Sequence, residues 1–189
     1  MINLIEDFYD SIFLKKIIED VDKLTFKPTH QPKGIQLDHR LQGYPTYETD
    51  PLDSNNEIYK FLYKKLKPIV NKPFIIHTFF RKTLLSEVRQ SLSWASIQRH
   101  QDQECFLAGL IYFNTNSIKD GTYFYRNNTD MEPTFIIGSK VNRCILFNPN
   151  IWHAPGLDSW KEVRLTQPFF LKEINEDKII DIGMSKKAG

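Results

Sequence analysis

From Pro73 onward the chain breaks into short β-rich runs separated by turn residues, and this rhythm constrains the fold more than any other feature. The runs are Phe74 to Phe80, Leu92 to His100, Phe106 to Phe113, Thr122 to Tyr125, Phe135 to Ile137, Arg143 to Phe147 and Val163 to Leu171. They are rich in aromatic and β-branched residues and too short for helices. Strands this numerous and this close together close most readily into an antiparallel sandwich or barrel.

The N-terminal part differs. Ile5, Phe8, Ile12, Phe13, Ile17, Val21 and Leu24 recur at near-helical spacing with charges between them, which predicts an amphipathic helix over Ile5 to Leu24. Ser54-Asn55-Asn56-Glu57 has the capping-box pattern, and Ile58, Leu62 and Leu66 follow at four-residue steps until Pro68, which predicts a second. Between them, Pro28 to Asp53 holds four Pro and two Gly without sustained periodicity and reads as irregular chain over the core. The class expected is α+β, mainly β, in one domain spanning 1–189. Within it, 1–73 is helical and irregular, 74–174 is the β core carrying the site, and 175–189 is a polar tail.

Composition narrows the function. Net charge is only +2, and the basic residues are scattered, not gathered into a stripe interleaved with aromatics, so no nucleic-acid partner is expected. The longest apolar run, Phe106 to Phe113, is far too short to span a bilayer, and no basic-then-apolar leader opens the chain, so no membrane partner is expected. Cys105 and Cys144 lack metal-ligand spacing and read as two reduced thiols, which favours a cytoplasmic setting.

Chemistry concentrates late in the chain. His100 and Asp102 are two apart on an extended segment, so both side chains point the same way and can share one ion. His153 lies in the turn-rich segment after the strand ending at Phe147, where a third ligand is available. Arg164 and Thr166 share one face of the last strand, and an Arg directed into a barrel needs an anion. Two His and one Asp leave half of an octahedral metal open. That suits Fe(II) carrying a bidentate co-substrate and O2 better than a closed structural zinc. His77, between Ile76 and Thr78, reads as a core histidine, and Tyr112 has an equally plain reading as core.

The ordered set His100-Gln101-Asp102, Ile111-Tyr112-Phe113-Asn114, Asp120-Gly121-Thr122-Tyr123-Phe124, Cys144-Ile145-Leu146-Phe147, His153 and Arg164 resembles the 2-oxoglutarate- and Fe(II)-dependent oxygenases, in an uncharacterised subgroup of the prolyl 4-hydroxylase-like branch. The resemblance covers roughly Ser91 to Lys172. It implies a double-stranded β-helix, the jelly-roll or cupin-like barrel, with the N-terminal helices packed on it. It implies Fe(II) on His100, Asp102 and His153, 2-oxoglutarate on Arg164 with Tyr112 and Thr166, and O2 as oxidant. The reaction implied is oxidation, most often hydroxylation, of a small-molecule or peptidyl substrate with release of succinate and CO2. Two features depart from the pattern. Asp120-Gly121 stands where Gly-Gly is usual, with an altered substrate loop as the expectation, and Pro168 interrupts the last strand, which suggests an edge or a bulge.

Two other functions fit parts of this set. A catalytically silent cupin-like module would hold a metal or small acid without turnover. A Zn-dependent hydrolase would use the same ligands, with Glu104 as the nearby base. Substrate identity and oligomeric state are left open by the sequence.

Overall fold

A computed structural model describes residues 2–28, 46–84, 99–156 and 163–174. In chain order the elements are β1 (Ile2–Ile5), α1 (Ser11–Val21), β2 (Lys27–Pro28), β3 (Thr46–Glu48), α2 (Glu57–Leu66), β4 (Phe74–Thr78), β5 (Arg81–Leu84), β6 (Leu107–Tyr112), β7 (Ser117–Tyr125), β8 (Phe135–Ser139), β9 (Cys144–Phe147), β10 (Trp152–Pro155) and β11 (Val163–Glu173). The strands form two antiparallel sheets. The larger runs β1-β9-β6-β11-β5-β3-β2, with β4 also paired to β11, and the smaller runs β10-β7-β8.

Alternation along the strands divides the interior into two cores. Ile111 on β6, Leu146 on β9 and Leu165, Phe169 and Leu171 on β11 point to one face of the large sheet, where they meet Phe13, Ile17 and Val21 of α1 and Ile58, Leu62 and Leu66 of α2. Ala108 and Tyr112 on β6 and Ile145 and Phe147 on β9 point the other way, toward Phe124 of the small sheet. The helices therefore cap one face of the large sheet, and the small sheet covers the other. The rings of Phe13 and Phe61 stack 4.1 Å apart where the two helices meet.

Both helices are shorter than their periodicity predicted. Ile5 closes a strand paired to β9, and α1 begins only after Asp10, whose side chain accepts the Phe13 N–H at 2.8 Å. The second cap is Asn56, not Ser54, and accepts from Ile58 and Tyr59. Within the segment expected to be irregular, β2 and β3 are strands, and residues 29–45 lie outside the described residues, as do most of Leu92 to His100 and the tail expected over 175–189. Both cysteines are free thiols. No helix among the described residues is long and apolar enough to cross a membrane.

Two corrections concern the core. His77 is exposed on β4, its ring against Phe79 and Phe170, because alternation puts Ile76 and Thr78 inside and His77 outside. Pro168 lies in a central strand, not at an edge. It pairs with Leu110 of β6 on one side, and on the other it falls where β5 pairing ends at Thr166 and β4 pairing begins at Phe169. The missing N–H is tolerated because that side of the ladder changes partner there.

The connection between α1 and the sheet depends on Asn142, in the left-handed region at φ 65° and 5% exposed. Its Oδ1 accepts the Tyr9 N–H at 2.9 Å, and its Nδ2 donates to the Tyr9 carbonyl at 2.7 Å. Asn142→Ala strands both backbone groups and removes the short polar side chain that lets Asn adopt this conformation, so it is expected to cost about 3 kcal/mol in urea denaturation. Asn142→Gly keeps the backbone geometry and is expected to cost less. Equal losses in the two variants would mean that the conformation contributes nothing.

Candidate metal centre

His153 is the best-fixed of the expected ligands. The sequence reading put it in a turn, whereas it lies within β10, opposite Phe124 of β7. Its Nδ1 lies 2.9 Å from the Ile151 carbonyl, which can only accept, so Nδ1 carries the proton and Nε2 presents its lone pair. Phe147 packs edge-on against the ring, with centroids 4.7 Å apart.

His100 reaches the same spot through the backbone. It forms an antiparallel bridge with His153, the two residues exchanging N–H···O bonds of 3.0 Å, so their side chains stand on one face. Their ring centroids are 4.3 Å apart. Asp102 follows two residues on, and its N–H donates to the Pro149 carbonyl at 3.0 Å, tying it to the loop that leads into β10. Asp102 Oδ1 is 3.6 Å from His100 Nε2, and Oδ2 is 3.5 Å from His153 Nε2.

The charges at this cluster are not self-sufficient. Burial, and next the charge of His100, pushes the His153 pKa down to about 3, so its contact with Asp102 is not an ion pair at neutral pH. Burial also pushes the Asp102 carboxyl up, against the pull of His100 and Arg81. A divalent cation would reverse both penalties, since it favours a neutral imidazole and an ionised carboxylate together. The three residues offer one ligand atom each, all within 4.8 Å of one another. A mixed imidazole and carboxylate set of three suits a transition metal with open positions.

Arg164 and Thr166 stand beside this cluster on the inner face of β11. Arg164 is 3% exposed; its Nε donates to the Asp120 carbonyl at 2.9 Å and its Nη2 to the Gly121 carbonyl at 3.2 Å. Burial disfavours its charge, and no carboxylate side chain is hydrogen-bonded to it among the described residues. Asp120 and Gly121 lie inside β7, so the departure noted at this pair shapes the seat of Arg164 and not a loop. The Tyr112 ring lies under the guanidinium, 5.4 Å from its carbon, and the Tyr112 hydroxyl meets Thr122 Oγ1 at 2.6 Å. Thr166 is fully buried, and its Oγ1 has no hydrogen-bond partner among the described residues. A buried hydroxyl without a partner is costly, and here it sits on the same strand face as the buried cation.

The pocket joining these groups is lined by His100, Asp102, His153, Thr122 and Arg164, and also by Arg81, which the sequence reading passed over. Arg81 and Lys82 are adjacent cations in Phe79-Phe80-Arg81-Lys82-Thr83, and only one of them can face inward. Pairing settles which: Arg81 stands opposite Thr166 and Thr83 opposite Arg164. Glu104, the base a hydrolase would need, points to solvent and contacts Lys172 at 3.3 Å.

No family model and no curated protein matches the chain. Solved structures do share its fold. A 2OG-Fe(II) oxygenase family oxidoreductase from Burkholderia pseudomallei is 10% identical with a TM-score of 0.60, over 92% of this chain and 85% of that one. HygX from Streptomyces hygroscopicus, crystallised with nickel, 2-oxoglutarate and hygromycin B bound, is 12% identical with a TM-score of 0.58, over 91% of this chain and 82% of its own. A prolyl-4-hydroxylase from Pseudomonas putida is 10% identical with a TM-score of 0.55, over 92% and 93%. The architecture is thus the double-stranded β-helix of the 2-oxoglutarate oxygenases.

Proposed function

We propose that this chain is a 2-oxoglutarate- and Fe(II)-dependent oxygenase acting on a small-molecule or peptidyl substrate. The observation that carries this reading is the joint presence, in one pocket, of the three-donor cluster and a buried guanidinium to which no carboxylate is hydrogen-bonded among the described residues. The fold shared with proteins crystallised with 2-oxoglutarate supports it.

When bound, Fe(II) and 2-oxoglutarate supply O2-dependent oxidation with release of succinate and CO2. His100, Asp102 and His153 would hold the metal, the Ile151 carbonyl keeping the His153 Nε2 lone pair available. Arg164 would take the far carboxylate of 2-oxoglutarate. Two of its five N–H groups are committed to the β7 carbonyls, which fix the plane of the fork. Thr166 Oγ1 would donate to the same carboxylate, and Tyr112 would support the guanidinium from below. Phe147 and Phe124 keep water from the inner side of His153.

The test is an anaerobic titration of iron-loaded protein with 2-oxoglutarate, followed by the weak visible charge-transfer band of the chelate. Wild type is expected to develop the band, and Arg164→Met to need at least about tenfold more 2-oxoglutarate, as removal of a charge-assisted bidentate contact implies. A folded, iron-loaded wild type without the band would overturn the reading.

A further inference from the structure

The inner face of the large sheet carries more polar groups than a metal and one co-substrate use. Register sets Glu48, Arg81, Thr166 and Tyr112 side by side across β3, β5, β11 and β6. The next row holds Thr46, Thr83 and Arg164. Arg164 is buried and bonded to β7, whereas the Arg81 side chain is 34% exposed and lies nearer the pocket mouth.

Arg81 is held firmly. Its Nε and Nη2 both donate to Glu48 Oε1, at 2.6 and 2.5 Å, and its guanidinium lies 5.4 Å from the centre of the Phe79 ring. Both contacts use one edge of the fork, which leaves the Nη1 end directed away from Glu48. Arg81 lines the same pocket as His100, Asp102, His153 and Arg164, so it lies close to the whole site. A cross-strand ion pair on an outer sheet face would need no further explanation. Here the Arg81 side of the pair lines the pocket, opposite the fully buried Thr166, with Pro168 and Phe170 as apolar walls.

We propose that the primary substrate carries a carboxylate, and that Arg81, oriented by Glu48 and Phe79, receives it while the rest of the substrate lies against Pro168 and Phe170. This rests on the oxygenase reading for the roles of the metal cluster and Arg164. A carboxylate brings half the charge of a phosphate dianion into a partly desolvated site that already holds the carboxyl groups of Glu48, Asp102 and the buried Asp120.

The experiment is isothermal calorimetry on Ni(II)-loaded protein, which does not turn over. 2-Oxoglutarate is titrated first, then monocarboxylates from acetate to octanoate and the aliphatic and aromatic L-amino acids, each beside its carboxamide. At least one acid is expected to bind tenfold or more tightly than its amide. Arg81→Met should abolish that preference while retaining 2-oxoglutarate, and Arg81→Lys should restore part of it. The proposal is overturned if no acid is preferred, if the preference survives Arg81→Met, or if Arg164→Met removes it instead, which would place the anion at the co-substrate position. Failure of the oxygenase reading shows separately, as absence of 2-oxoglutarate binding in the first titration. The acid series run without 2-oxoglutarate still separates Arg81 from Arg164 in that case.

Discussion

Asp102→Ala is expected to lower affinity for a divalent transition metal by at least about 100-fold, the upper range for disturbing even an outer partner of a metal ligand, and to remove 2-oxoglutarate-dependent oxygen consumption. The isosteric Asp102→Asn should melt at a higher temperature than wild type when both are metal-free at pH 7.5. Burial raises the Asp102 pKa in the folded protein, so the fold holds that proton to higher pH than the unfolded chain does. Stability is therefore lost as pH rises from the ordinary carboxylate range through the raised folded value, and the variant, which cannot ionise, escapes that loss. His153 works in the opposite sense, since its depressed pKa removes stability as pH falls from the ordinary imidazole value toward about 3. At pH 7.5 the imidazole is essentially neutral in both states, so the Asp102 contribution stands alone. Adding metal should reverse the order and stabilise wild type over the variant. Metal-free Asp102→Asn melting below wild type would mean that the carboxylate contributes to the fold and is not held there at a cost.

That sign separates site residues from core residues, and the same distinction explains what could be read from the sequence. The convergence of His100, Asp102, His153 and Arg164 on one pocket was legible in part because spacing and strand alternation constrain them locally: two residues apart on extended chain means one face. Structure adds the pairing of distant segments. The bridge that aligns His100 with His153 is a long-range backbone contact, and no local pattern marks His153 as a strand residue among Asn148-Pro149-Asn150. Arg81 escaped for the same reason. Arg81 and Lys82 are interchangeable by composition, and only the register against Thr166 decides which one faces the pocket. The direction of Thr166 was legible from Arg164, but its unpartnered hydroxyl was not.

The helices show the converse limit. Periodicity over Ile5 to Leu24 located α1 but overran it, because Ile5 alternates equally well in a strand and pairs with Cys144. Ser54 satisfied the capping pattern, yet Asn56 is nearer the first buried residue, Ile58, and caps instead. Side-chain type signals a helix end, while the first residue with a core to bury against fixes it.

Gly121→Ala is the second substitution with a large expected effect, and it joins fold to site. A Cβ built at Gly121 lies 1.9 Å from the Ile137 carbonyl oxygen and 2.7 Å from Gly138 Cα. Both obstacles are backbone atoms of β8, so no rotamer change relieves them and the two strands must separate. The Gly121 carbonyl accepts the Gly156 N–H at 2.9 Å and Arg164 Nη2 at 3.2 Å, so strand separation also unseats the guanidinium. The expected loss is about 3 kcal/mol or more in urea denaturation, at the upper end for overpacking, with weakened 2-oxoglutarate binding in whatever protein stays folded. Gly109→Ala supplies the contrast, because there the obstacle is the Phe169 ring, with Cζ at 2.1 Å. A side chain can be shortened, so Phe169→Leu should recover part of the Gly109→Ala loss, and no single side-chain change should recover Gly121→Ala. Loss of less than about 1 kcal/mol at Gly121 would mean that β7 and β8 do not approach this closely, and the seat described for Arg164 would fail with it.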